Sequence, residues 1–341
     1  MNKSQTLTAA DRLDWLRLIR SDNVGPITFY KLLERFGNVR AALDALPEMA
    51  RRGGRAGRLK VATLAAAERE MEALDKIGAV PIGRGEPDYP PLLGHIEDAP
   101  PLINALGHTH LLRKKAIAVV GARNASVNGL GFAEKIARDL GQGGLLVVSG
   151  MARGIDAAAH RGALGTGTAA VLGGGVDVIY PKENADLYDR LRGEGVMVSE
   201  IAPGTQPQAR HFPRRNRLIS GIARGVVVVE ASPRSGSLIT ARMALEQGRD
   251  VYAVPGAAVD PRARGTNNLI RQGAILTESA NDVFEVLNSA GEIPLGDSEL
   301  IDFKGISPTP PDPDLVASAR SGIEKNFGAA PTPVDEIIRN C

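Results

Sequence analysis

The chain has 341 residues, more than one ordinary domain needs, and this length predicts two or three compact units. Its 39 glycines exceed the usual share, whereas 22 prolines and 23% charged residues are near normal, which excludes collagen-like, disordered and disulfide-scaffold classes. Because the formal net charge is only +2, affinity for a polyanion has to come from uneven placement of charge along the chain.

The cysteine content indicates the cellular compartment. The one cysteine is Cys341, so neither an intrachain disulfide nor a cysteine-based metal site is expected. No stretch approaches the roughly 20 apolar residues that span a bilayer, and residues 1–20 lack an apolar signal core. We therefore expect a cytoplasmic protein that does not contact the membrane, and no pattern in the sequence predicts a cofactor or a metal.

Residues 1–83 predict a small helical domain. Thr8 is a suitable N-cap for a first amphipathic helix, and the break Val24-Gly25-Pro26 separates it from a second helix that Gly37 ends. The prolines between Val80 and Gly107 are incompatible with regular helix. Residues 84–112 are therefore predicted to form an extended connector.

Residues 113–288 show a different pattern, in which short apolar runs alternate with segments of helical spacing. The runs are Ala116–Val120, Leu145–Val148, Ala169–Leu172, Val196–Ser199, Val226–Glu230, Val251–Val254 and Ala274–Leu276. Strands without polar alternation are buried on both faces, and the intervals leave room for crossover helices. The predicted fold class is α/β, with a doubly wound parallel sheet.

The sequence after residue 288 changes again. Residues 289–325 are rich in glycine, serine and proline and predict a linker. Residues 326–341 contain a short helical pattern that cannot bury an apolar face alone, so they are either disordered or the start of a truncated further domain.

The loops after the predicted strands carry the candidate binding residues. Ligands of open parallel sheets bind beyond the carboxyl ends of the strands, where glycine, hydroxyl and arginine groups can cradle a phosphate. The alternative is that the glycines only allow tight strand-to-helix turns. Neither a P-loop nor a dinucleotide fingerprint is present. The candidates are Gly121, Arg123, Ser126, Ser149, Gly150, Arg153, Lys182, Ser235, Gly236 and Ser237.

The stretch between Glu200 and Glu230 contains no acidic residue and is rich in arginine. An aromatic ring among arginines is typical of single-strand binding, since the ring stacks on a base while the guanidinium groups bind phosphates. A solvated basic face is the alternative. The stretch predicts a binding loop that contains Phe212, Arg214, Arg215, Asn216 and Arg217.

Asp156 and His160 are the only histidine and carboxylate pair at helical spacing in these loops. No third ligand is apparent, so we expect a hydrogen bond between the two that orients the loop, and no metal. Ser149 and Ser237 have no base nearby in the sequence and are assigned to phosphate binding.

Seven segments carry a resemblance to a known family. They are Val119–Arg123, Ser149–Asp156 with His160, Gly175–Pro181, Ser199–Glu200, Phe212–Arg217, Ser235–Ala241 and Val254–Gly256. In this order they closely resemble the DNA-processing protein A (DprA or Smf) family, over residues 113 to about 280. Residues 1–83 resemble the SAM-like or helix-hairpin-helix region of that family, and residues 333–339 resemble the opening of its winged-helix domain.

The resemblance implies a DNA-binding protein with an extended Rossmann-like fold that forms a cytoplasmic homodimer. It implies binding and protection of incoming single-stranded DNA (ssDNA) during natural transformation (competence), loading of the RecA recombinase in DNA recombination, and no enzymatic activity. The positions that match the family's binding residues are Gly121, Arg123, Ser149, Gly150, Arg153, Phe212, Arg214, Asn216 and Arg217.

An enzyme is the competing class, because similar folds also host phosphoribohydrolases that cleave nucleoside monophosphates. Those enzymes use a Pro-Gly-Gly-x-Gly-Thr turn followed by a catalytic glutamate. The corresponding segment here is Ser235–Thr240, and the next glutamate is Glu246. This departure favours a binding protein over a nucleoside-monophosphate phosphoribohydrolase.

Overall fold

The computed structural model describes residues 6–52 and 60–289. The chain divides into two units, Met1–Asn288 and Ser289–Cys341, and the fold below is that of the first. The predicted linker from residue 290 onward, the predicted winged-helix start at 326–341 and Cys341 lie outside the described residues.

The chain begins with four helices, as its amphipathic pattern predicts. The helices are α1 (Ala9–Arg20), α2 (Pro26–Phe36), α3 (Val39–Arg52) and α4 (Leu64–Ile77). Thr8 and Asp11 form a capping box at the start of α1, and Gly37 ends α2 with a φ of +77° that favours glycine. Leu18, Phe29 and Leu43 are buried together in the core between these helices.

The rest of the described chain forms one nine-stranded sheet with helices on both faces. The strands are β1 (Ala79–Gly83), β2 (Leu102–Gly107), β3 (Ala116–Gly121), β4 (Leu146–Ser149), β5 (Thr168–Val171), β6 (Val196–Ser199), β7 (Gly225–Val229), β8 (Asp250–Ala253) and β9 (Ile275–Leu276). The helices are α5 (Val127–Gln142), α6 (Ile155–Ala163), α7 (Ala185–Glu194), α8 (His211–Ile222), α9 (Gly236–Glu246), α10 (Arg264–Arg271) and α11 (Ala280–Ser289). All seven predicted strands are present.

The predicted strands lack alternating polar and apolar residues because both faces of the sheet are buried. In β3, Val119 packs into one apolar layer with Ile136, whereas Val120 packs into the opposite layer with Ile219. Both faces of the strand therefore require apolar side chains. The predicted α/β class, with a mostly parallel sheet, is confirmed.

The strand order is β1-β2-β6-β5-β4-β3-β7-β8-β9, with β3 to β9 parallel and β1 and β2 antiparallel to their neighbours. The chain winds outward from β3 to β6, then crosses back to β7 and continues to β9. Winding therefore reverses between β3 and β7. Ligands of such sheets bind in the crevice at this reversal, which places the β3–α5 and β7–α9 loops at the expected site.

The sheet starts earlier than the sequence predicts. β1 lies within the predicted helical domain 1–83, and β2 lies within the predicted connector 84–112. Pro81 is compatible with β1 because this strand is at the edge of the sheet. The prolines exclude helix but not strand, and the extended connector that they predict contains β2. None of the helices in the described part of the chain is long and apolar enough to cross a membrane.

Candidate nucleic-acid interface

Two adjoining cavities lie beyond the carboxyl ends of the parallel strands. Cavity A has a volume of about 460 Å³ and cavity B of about 530 Å³. Both are lined by Arg123, Ala152, Phe212 and Arg215. Cavity A also includes Met151, Arg153, Gly173, Tyr180, Lys182 and Pro207, and cavity B includes Gly121, Asn216, Arg234, Ser235, Ser237 and Arg262. Because they share four residues, we treat the cavities as one surface and call it the AB groove.

The turn after β3 brings Arg123 to the middle of this groove. A Cβ atom on Gly121 would lie 1.9 Å from the Val229 carbonyl oxygen, so only glycine lets β3 approach the end of β7 this closely. The exposed Arg123 side chain follows, with its Cζ atom 5.5 Å from the centroid of the Phe212 ring. Its guanidinium group is thus available to a phosphate at the crevice where ligands of this fold bind.

The predicted basic loop is wrong in its local structure, because residues 211–222 form α8. Helical periodicity divides the predicted contacts between two faces. Phe212, Arg215 and Asn216 are three and four residues apart and line the AB groove. Arg214 and Arg217 point to a different side and line neither cavity.

Arg217 and Arg214 are engaged by acidic residues on their side of α8. Arg217 is buried, donates from Nη1 to the Asp98 carbonyl oxygen at 2.7 Å, and forms a close ion pair with the Glu200 carboxylate. Arg214 is more exposed, with Nη2 3.5 Å from Glu200 Oε1. The position of Arg217 therefore indicates a structural role and does not support the predicted phosphate contact.

Arg215 lies beneath the Phe212 ring as a buried cation. Its Nη1 atom is 3.9 Å from Asp156 Oδ2, and its Nε atom has no hydrogen-bond partner among the described residues. Burial lowers the pKa of Arg215 and raises the pKa of Asp156, and the charge of each partner opposes the shift of the other. The floor of the groove therefore holds a guanidinium group that is only partly satisfied by protein contacts.

The loop after β4 packs against the Arg215 guanidinium group. A Cβ atom on Gly150 would lie 1.6 Å from Arg215 Nη1, so glycine makes room for the guanidinium group. His160 donates from Nε2 to the Gly150 carbonyl oxygen at 2.6 Å, and its Nδ1 lies 2.9 Å from the Thr168 hydroxyl. Burial lowers the pKa of His160 to about 4, so the ring is neutral at pH 7. The predicted hydrogen bond between Asp156 and His160 is therefore wrong.

Two predicted serine contacts are used inside the protein. Ser149 is fully buried and donates to the Val119 carbonyl oxygen at 2.6 Å, because the last side chain of β4 points into the sheet. Ser126 caps α5 and contacts the Glu230 carboxylate. Neither serine lines the AB groove, so their predicted phosphate contacts are not supported by their positions.

The amino end of α9 opens into cavity B. Ser235 is the N-cap of this helix, its hydroxyl lies 2.7 Å from the Ser237 hydroxyl, and both residues and Gly236 line the cavity. Unpaired backbone N–H groups and the helix dipole make such an end favourable for an anion. The structure thus places the predicted Ser235–Ser237 cluster together with Arg123.

The opposite end of the groove contains the predicted residues Arg153 and Lys182. Arg153 Nη1 lies 3.5 Å from Glu183 Oε1, and both side chains are more than half exposed, so solvent screens this pair. The Lys182 side chain is exposed at the same rim. The Tyr180 ring lies 5.8 Å from the Phe212 ring and extends the aromatic surface.

Three aromatic or cationic residues of the groove were not predicted, and they are Tyr180, Arg234 and Arg262. Tyr180 lies two residues before the predicted Lys182, and its aromatic ring is a signal from which the sequence could have predicted it. Arg234 lies directly before the predicted Ser235, in the loop after β7. Arg262 follows β8 in a segment without any pattern, and only the fold brings it to cavity B.

The AB groove is strongly cationic. Six cationic side chains line it, and they are Arg123, Arg153, Lys182, Arg215, Arg234 and Arg262. The acidic side chains in the lining are Asp156 and Glu183, which pair with Arg215 and Arg153. No group of three or more potential metal ligands occurs within residues 6–52 and 60–289. The groove therefore attracts polyanions in spite of the small net charge of the whole chain.

Two family models and a bacterial relative match the sequence of this chain. The family model described as DNA recombination-mediator protein A matches residues 81–288, and a model described as the DprA-like N-terminal HHH domain matches residues 9–73. A relative from Streptococcus pneumoniae called DNA processing protein DprA is 48% identical over 197 residues, which cover 57% of this chain and 70% of the relative.

Two solved structures are similar as well. DNA processing protein A from Streptococcus pneumoniae superposes with a TM-score of 0.68 at 36% identity, covering 82% of this chain and 98% of that chain. DNA processing protein A from Helicobacter pylori, solved to describe its single-stranded DNA binding mode, superposes with a TM-score of 0.57 at 25% identity, covering 62% and 96%. From the fold and these matches, the chain belongs to the DNA recombination-mediator protein A (DprA/Smf) family.

Proposed function

We propose that this protein binds single-stranded DNA along the AB groove. The observation that carries the proposal is the half-buried Phe212 ring between two cavities, with Arg123 and Arg215 within 6 Å of its centroid and four further cations around it. The related Helicobacter pylori protein is described as binding single-stranded DNA, which supports the same ligand here.

Each part of the groove matches one part of a single strand. The Phe212 ring offers a stacking surface for an unpaired base, and every base has a π-face, so the contact does not depend on sequence. The exposed arginines and the amino end of α9 offer donors to the phosphates on either side. A base inside a duplex is already stacked and paired and cannot use the ring.

We expect single-stranded DNA to compete for the protein at least about tenfold better than duplex of the same sequence, because base stacking contributes about 1–3 kcal/mol per base. Fluorescence anisotropy with a labelled oligonucleotide of about 20 residues and unlabelled competitors measures the ratio. Equal competition by the duplex would contradict a groove that depends on an unpaired base.

We also propose that the AB groove binds without catalysing a reaction. In the competing phosphoribohydrolase class a glutamate follows the phosphate-binding turn, whereas Glu246 is the last residue of α9, about 15 Å along the helix from Gly236. It cannot reach a phosphate at the amino end of the same helix. Incubation with nucleoside monophosphates and chromatography for free base tests this, and release of base by the purified protein would overturn it.

Membership of the family supports a wider proposal, in which the protein acts in the cytoplasm as a homodimer. It would protect incoming DNA during natural transformation and load the RecA recombinase onto it. Single-strand binding alone requires neither a dimer nor the loading of RecA, so the dimer and the loading each have their own test. Analytical ultracentrifugation measures the dimer, and RecA filament formation on DNA covered by a single-strand-binding protein measures loading.

A further inference from the structure

A carboxylate of the protein occupies the amino end of α5. Glu230 stands directly after β7, and its Oε2 atom accepts a hydrogen bond from the Ser126 backbone N–H at 2.9 Å. Its Oε1 atom accepts a short hydrogen bond from the Ser126 hydroxyl. Ser126 is the N-cap of this helix and also accepts from the Gly129 N–H at 2.9 Å.

The chain on both sides is fitted to this carboxylate. Glu230 has a φ of +52°, a left-handed conformation that is uncommon for residues other than glycine, asparagine and aspartate. A Cβ atom on Gly129 would lie 2.6 Å from Glu230 Cδ, so the third residue of α5 has to be glycine where the carboxylate lies. A strained backbone and a glycine gap together hold one acidic side chain at one position.

In doubly wound sheets, the helix end that Glu230 occupies is a common phosphate-binding position. β3 is the strand at which the winding reverses, and α5 is the helix that follows it. In nucleotide-binding proteins of this architecture, the helix after that strand holds the phosphates of the nucleotide at its amino end. Here a phosphate would have to displace Glu230 and would meet its negative charge.

The amino end of α9 is different. Its serines line cavity B, and no carboxylate caps it in the described residues. The two helix ends at the reversal of winding are therefore unlike: one is closed by an internal anion, and the other opens into the cationic groove.

We propose that Glu230 is a specificity-determining residue that closes the phosphate position of α5 against free nucleotides. The closing of α5 does not depend on the proposed function. Its consequence for specificity does, because it requires that a polynucleotide binds along the AB groove at several places. A mononucleotide offers one phosphate group, and Glu230 occupies the helix end that would bind this group in a nucleotide-binding protein of this architecture. The side chain thereby favours polymer over the chemically similar free nucleotides.

The test opens the position without disturbing the backbone. Glu230→Gly and Glu230→Asn both suit the left-handed conformation, and they replace the carboxylate side chain by none or by a shorter, neutral amide. Glu230→Gln is the matched control, because it also removes the charge but keeps the length and shape of the side chain. Isothermal titration with inorganic phosphate and with AMP, at constant ionic strength, measures binding. The thermal unfolding of each variant shows whether it is folded.

We expect phosphate and AMP to bind the Gly or Asn variant at least about tenfold more tightly than the native protein, as an opened helix end and its hydroxyl allow. The Gln variant should stay close to the native protein because its side chain still fills the position. If whichever of the Gly and Asn variants is folded binds phosphate no more tightly than native, the proposal is overturned. If instead the native protein fails to bind single-stranded DNA, the proposed function fails while this result stands.

Discussion

Arg123→Ala is expected to weaken binding of single-stranded DNA by about 1–3 kcal/mol, which is the loss typical of a hydrogen bond to a charged group. The Arg123 side chain is exposed, contacts the Phe212 ring and forms no ion pair with a carboxylate among the described residues. Its guanidinium group is therefore free to bind a phosphate. Fluorescence anisotropy at fixed salt concentration measures the change.

Arg190→Ala is the matched control for this substitution. Arg190 lies on α7, is 54% exposed, pairs with Glu194 one turn along the helix and lines neither cavity. The Arg190→Ala substitution removes one positive charge, as Arg123→Ala does, but outside the AB groove. Equal losses of affinity in the two variants would mean that overall charge, and not the AB groove, determines binding.

Arg217→Ala is expected to act on stability and not on the DNA contact. The side chains of Arg217 and Glu200 are 8% and 10% exposed, and the substitution leaves the Glu200 carboxylate buried with only Arg214 nearby. Breaking a buried ion pair by removing one partner costs about 3–5 kcal/mol. Urea unfolding measures this loss, and Arg190→Ala, which breaks an exposed pair within one helix, should cost only about 0.3–0.5 kcal/mol.

The same variant distinguishes the two roles of the basic segment. The folded Arg217→Ala protein should bind single-stranded DNA nearly as tightly as the native protein. A variant that kept its stability and lost about tenfold or more in affinity would return Arg217 to the phosphate contacts that the sequence suggested.

The parallel part of the sheet could be predicted because its physical signal is local. Strands such as Gly225–Val229 are buried on both faces and consist of continuous apolar residues. β1 and β2 were missed because the signal there is mixed. Pro81 lies inside one strand, and Pro100 and Pro101 lie directly before the other. Such prolines exclude helix, so the sequence predicts an extended connector and does not distinguish it from paired strands.

The binding site could be predicted in its location but not in the direction of its side chains. Arg123 and Ser235 follow strands, and the fold alone brings such loops to one edge of the sheet. The direction of Arg217 depends on Asp98, which is 119 residues away in the sequence. The same is true of Ser126 and Glu230, which are separated by 104 residues. Such long-range pairs leave no pattern in the sequence.

The salt dependence of binding by Phe212→Ala tests the central claim most directly. If the ring stacks on a base while arginines bind phosphates, this variant should lose about 1–3 kcal/mol of affinity, and its slope of log K against log salt should equal that of the native protein. Arg123→Ala should reduce the magnitude of the slope by about 0.7, the value for one phosphate contact with a single strand. A Phe212→Ala variant that binds as tightly as the native protein would contradict the stacking role on which the account depends.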